Sequence, residues 1–80
     1  MSNRLHKSWT VLQSLESIEG DRCVDIFERP DQSFGFEEFR RDAEDMGHWT
    51  AVGYYSSLNF NSKEVTLRQA RRYVPWLAAL

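Results

Sequence analysis

The stretch Arg22 to Asp42, RCVDIFERPDQSFGFEEFRRD, restricts this chain more than any other, because it reads as two β-strands closed by the turn Pro30-Asp31-Gln32. Proline presets φ at the first turn position, and an aspartate carboxylate bonds backbone close to itself. The third position commonly takes a positive φ, and the chain carries Gln32 there rather than glycine. A three-residue loop sets the register, with Arg29 opposite Ser33, Glu28 opposite Phe34, Phe27 opposite Gly35 and Ile26 opposite Phe36. Residues two apart share a face of a strand, so Val24, Ile26, Phe34 and Phe36 line one side. Cys23, Phe27 and Phe39 line the other. A sheet that is apolar on both faces needs cover on both.

The flanking segments offer that cover. Arg4 to Glu19 separates on a helical wheel, with Leu5, Trp9, Val11, Leu12, Leu15 and Ile18 in one half and polar residues in the other. Gly20 can end such a helix. The same segment is rich in serine and β-branched residues, and Trp9, Val11, Gln13 and Leu15 also alternate as in a strand. Trp49 to Tyr55 reads as a further strand behind the acidic link Ala43 to Gly47. Asn61 can cap a last helix, with Glu64 in its first turn and Phe60 stapled onto Val65. Leu67, Ala70, Tyr73, Val74 and Leu77 recur at helical spacing, and Pro75 is expected to stop or kink the helix near Tyr73.

The expected fold is a single α+β domain over residues 1–80. Strands 22–29, 33–41 and 48–55 form a three-stranded antiparallel meander, packed by a C-terminal helix over 62–74 and followed by a turn over 75–80. The amphipathic N-terminal segment 4–19 is placed as a helix on the other face, with Trp9, Leu12 and Leu15 over Cys23, Phe27 and Phe39. That cover favours a monomer, and its failure would expose a face through which the chain could form a homodimer.

Composition narrows the function classes. One cysteine excludes an internal disulfide and a cysteine-rich zinc site. There is no apolar run long enough for a membrane span and no signal-peptide core in Met1 to Leu15, so the expected setting is cytoplasmic. The net charge of −2 hides a segregation. Glu16 to Asp45 carries eleven acids against four arginines, a balance of −7, whereas Ser62 to Leu80 carries four basic residues against Glu64, a balance of +3. Mutual attraction of these halves across the fold is the simplest use of that pattern.

The segment VDIFERPDQSFGFEEF resembles the aromatic-strand, D-x-G-turn, aromatic-strand opening of the YegP-like small bacterial domains. YYSSLNFNSKE is similar to that family's tyrosine-serine-lysine lead into a helix, and the likeness spans residues 24–74. Gln32 stands where the family has its turn glycine, and the family's second tandem copy is absent. The layout is also similar to the arm-type DNA-binding domain of phage integrases, which present a sheet to the DNA major groove. RCVDIFERPDQSFGFEEFRRD looks like small uncharacterised bacterial proteins as well. No functional residue carries over from these likenesses, because a fold hosts many functions.

Three functional readings compete. Catalysis would have to draw on Cys23, His6, His48, Asp25 and Glu37, yet no phosphate loop, nucleophile elbow or metal-ligand spacing accompanies them. A strand cysteine is more often a small buried hydrophobe than a thiolate. No cofactor or metal is implied. Nucleic-acid binding would use Arg40, Arg41, Arg68, Arg71 and Arg72 with the sheet aromatics Phe34, Phe36 and Tyr54. Against it, those aromatics lie on the face the helix must cover, and the hairpin is acidic. By elimination the leading reading is a non-enzymatic protein-interaction module, with Arg68, Arg71 and Arg72 on the helix and Phe27 and Phe39 on the second sheet face as partner contacts.

Overall fold

The central hairpin closes as the turn chemistry requires. In the computed structural model, which describes residues 6–42, 46–52 and 55–80, strand β2 (Arg22–Glu28) runs antiparallel to β3 (Phe34–Arg41). Ile26 faces Phe36, Phe27 faces Gly35 and Glu28 faces Phe34, the register that the three-residue loop dictates. Gln32 takes the left-handed conformation at φ 69°, and the Asp31 carboxylate accepts from the amide of Ser33 at 3.0 Å and from its hydroxyl at 2.7 Å.

The N-terminal segment is a strand, not a helix. β1 (Thr10–Glu16) pairs antiparallel with β2, and β4 (Trp49–Ala51) pairs with β3, so the sheet has four strands in the order β1-β2-β3-β4. Pairing with β2 satisfies a row of backbone groups that would otherwise form an open edge beside the hairpin. Gly20, at φ 76°, belongs to the β1–β2 turn instead of capping a helix. A bulge at Leu12 explains the helix-like spacing. Val11 lies opposite Phe27 but Gln13 lies opposite Ile26, so the extra residue switches the faces of the strand. Trp9 therefore serves the second face, while Leu15 sits opposite Val24 on the helix side. The expected apolar stripe of Trp9, Leu12 and Leu15 is divided between two sides and a bulge.

β4 is shorter than the span 48–55 expected for it, and residues 53 and 54, including the aromatic Tyr54, lie outside the described residues, as does Leu5. Beyond β4 the chain stays along the outer edge of β3. Phe60 exchanges two backbone hydrogen bonds with Phe34, each 2.9 Å long. That bridge holds residue 60 in the sheet and moves the helix start, so Ser62 rather than Asn61 caps α1 (Lys63–Tyr73) by accepting from the amide of Val65. Pro75 cannot donate to a helical bond, and it opens a second short helix, α2 (Pro75–Ala78), where a turn was expected. Val24, Ile26, Phe36, Ala70, Val74 and Leu77 form the resulting core, each no more than 1% exposed.

The second face is buried as well, but not by apolar contact alone. Cys23, Phe27 and Phe39 alternate there with Asp25 and Glu37. Trp9 stacks on Phe27 at 4.7 Å between ring centroids, and the Arg29 guanidinium lies over both rings. Arg29 then crosses β3 to the far loop. It donates to the carbonyls of Ser56 and Leu58 and, at 2.8 Å, to the Asn59 side chain. The crossing point is Gly35, where a Cβ would stand 2.9 Å from both the Arg29 guanidinium and the Phe27 ring. Gly35→Ala should therefore cost about 1–3 kcal/mol, the usual range for overpacking. Urea unfolding should show a lower midpoint at unchanged slope, and an unchanged midpoint would refute the crossing geometry.

Candidate functional site

Of the residues that could carry catalysis, the strand alternation turns Cys23, Asp25 and Glu37 into the interior. Cys23 is buried, and its Sγ lies 3.3 Å from Asp25 Oδ1. The same oxygen accepts from the Ser14 hydroxyl at 2.7 Å, an arrangement that β1 creates by placing Ser14 opposite Asp25. Glu37 is 1% exposed, and its carboxylate accepts from the backbone amides of Glu38, Tyr55 and Ser56. A buried carboxyl group requires hydrogen-bond partners, and these neighbours supply donors to Asp25 Oδ1 and to both oxygens of Glu37. His6 is exposed and bonds locally to Ser8, and His48 is exposed beside β4. Among the described residues, no group of three histidine, cysteine or acidic side chains could hold a metal ion.

The expected partner contacts separate in the same way. Phe27 and Phe39 are fully buried, so they have no surface to offer a partner; the fold uses them as core. Arg68, Arg71 and Arg72 do reach the surface, because α1 turns Thr66 and Ala70 inward and leaves these positions outside. Arg41 is committed elsewhere, donating to the Gly20 carbonyl at 2.9 Å and lying over the Trp49 ring. Phe36 is fully buried beneath the helix, stacked near Tyr55, Phe60 and Tyr73.

Exposed apolar side chains lie along β1 and its turn, at Tyr73 on α1, at the C-terminal Leu80 and at Met46 before β4. Among the described residues β1 is an edge strand, and Val11 and Leu12 on it are 44% and 38% exposed. At its end Ile18 is 90% exposed, on the rim of a cleft of about 170 Å³ that Trp76 and Leu80 also line. An edge strand offers backbone donors and acceptors, and a neighbouring apolar cleft offers a seat for one side chain. The sequence held one signal of this. Ile18 stands alone among Ser17, Glu19 and Gly20, where a turn has no internal use for it. Reading the segment as a helix placed that isoleucine on the packed face.

Two groups near the loops have displaced acidities. Hydrogen bonds from the Ser33 side chain and backbone hold Asp31 below the ordinary 3.8. Burial, with Glu38 and Glu37 adding repulsion, pushes the Tyr55 phenol above 10.0. No helix among the described residues is long and apolar enough to cross a membrane. Comparison with known proteins finds no family model, no curated protein and no solved structure that matches the chain.

The Asp31 geometry makes a pH prediction. A carboxylate with a depressed folded pKa adds stability above its unfolded value, and that contribution is lost as pH falls through the folded value. Titration of Asp31 by NMR should give a midpoint below 3.8, and Ser33→Ala should move it upward. A wild-type midpoint at the ordinary value would refute the bonded turn.

Proposed function

We propose that this chain is a small non-enzymatic protein-interaction module, which receives an extended segment of a partner along β1. The single observation behind the proposal is that β1, an edge strand among the described residues, runs at Ser17 directly into the lining of the Ile18–Trp76–Leu80 cleft. Strand addition supplies affinity through backbone hydrogen bonds and specificity through pockets for side chains. The bulge at Leu12 has a part in this, because an irregular edge resists indiscriminate pairing with other copies. A single buried cysteine suits a reducing compartment such as the cytoplasm.

Nucleic-acid binding is the second reading, favoured by the exposed Arg68, Arg71 and Arg72 on one helix. It loses force because the aromatic Phe36 lies under that helix and cannot stack on a base. An enzyme is the third reading, and the buried Cys23 and Asp25 give it little support.

Photo-crosslinking separates the first two readings. A photoreactive side chain placed at Leu12 or at Ile18 in cells should give an adduct with a defined protein, and one at Arg72 should not. Nucleic-acid adducts at Arg72, with none at Leu12 or Ile18, would contradict the proposed function. Gel shifts should likewise show no nucleic-acid binding tighter than about 10 μM at physiological salt, weaker than specific binders achieve.

A further inference from the structure

Three residues in one row across β2, β3 and β4 present a different chemistry. Arg22 lies opposite Arg40, and Arg40 lies opposite Thr50. Residues directly opposite on antiparallel strands share a face and stand about 4.5–5.5 Å apart at Cβ, and like charges so placed destabilise the sheet. The row lines a cleft of about 320 Å³ whose remaining wall is Ala51 and Val52. Arg22 is held in position by Glu38, whose Oε2 lies 3.3 Å from its guanidinium and accepts from the Trp76 indole at 2.8 Å. Glu38 is thereby committed to two donors, and its side chain is only 9% exposed. Arg40 is exposed, and no hydrogen bond or ion pair holds it among the described residues.

We propose that this row binds a phosphoryl group. Two guanidiniums and one hydroxyl match the several oxygens and double charge of a phosphate better than the two oxygens of a carboxylate. Glu38 cancels one positive charge and fixes Arg22, which leaves Arg40, without a charged partner among the described residues, to meet the ligand. The apolar wall of Ala51 and Val52 gives the organic part of a phosphate monoester a place to rest. A bound dianion would also relieve the repulsion between the two opposed arginines. The cleft lies on the helix-side face beyond Glu38, and the proposal is independent of the β1 edge.

NMR titration of the full chain with inorganic phosphate and, separately, phenyl phosphate tests it at constant ionic strength. Saturable shifts should centre on the amides of Arg22, Arg40 and Thr50. Tighter binding of phenyl phosphate would support a monoester ligand, and equal binding would support free phosphate, either outcome keeping the site. Arg40→Gln should weaken binding roughly tenfold or more, Thr50→Val should weaken it less, and Lys7→Gln should leave it unchanged. Because Arg40 is exposed, its variant should keep a folded spectrum, and loss of the opposed charge should raise its melting temperature without phosphate. Shifts absent from this row, centred instead on Arg68, Arg71 and Arg72, or undiminished in Arg40→Gln, would overturn the proposal.

Discussion

Arg29, just past the end of β2, and Glu37 on β3 hold the same loop from opposite chemical sides. Arg29 donates to the carbonyls of Ser56 and Leu58, while Glu37 accepts from the amides of Tyr55 and Ser56. A loop beside a sheet edge carries backbone groups that neither sheet nor helix satisfies, and each one buried without a partner would cost about 1–3 kcal/mol. The two side chains remove that penalty and set where Phe60 meets Phe34. The start of α1, and hence the placement of Ala70 and Val74 over Ile26 and Phe36, follows from that bridge. Gly35 allows the arrangement by leaving the path across β3 clear.

Much of the charge in this chain is therefore structural. Arg29 and Arg41 lie over aromatic rings and bond to backbone carbonyls, and Arg22 pairs with Glu38 within the sheet. A guanidinium suits that work because its planar fork both stacks and donates in several directions. Arg22, Arg29 and Arg41 of the acidic hairpin are thus engaged in short local bonds within the sheet and its loops. The exposed surface includes the helix arginines, Arg40, and the apolar residues Val11, Leu12, Ile18, Met46, Tyr73 and Leu80.

The legibility of the sequence followed how local each determinant is. The Pro30 turn fixes the register of β2 and β3 within three residues, so the pairing of Ile26 with Phe36 could be read directly. The stop before Pro75 was equally local. The N-terminal strand was not legible, because the bulge at Leu12 breaks the alternation that marks a strand and leaves a pattern resembling a helical stripe. Asp25 and Glu37 invite a catalytic reading by residue type, but their role depends on Ser14 and on amides 18 and 19 residues further along the chain. Similarly, the Arg22–Arg40–Thr50 row exists only once three strands are aligned, and no spacing along the chain announces it.

The grip on the loop is tested most directly by amide hydrogen exchange at Ser56. This residue lies outside every strand and helix, yet its amide donates to a buried carboxylate at 3.0 Å while its carbonyl accepts from Arg29. Its exchange should be slowed to the level of Phe34 and Phe60, which are bonded within the sheet. Exchange at the rate of open, solvated backbone would contradict the central role given to Arg29 and Glu37.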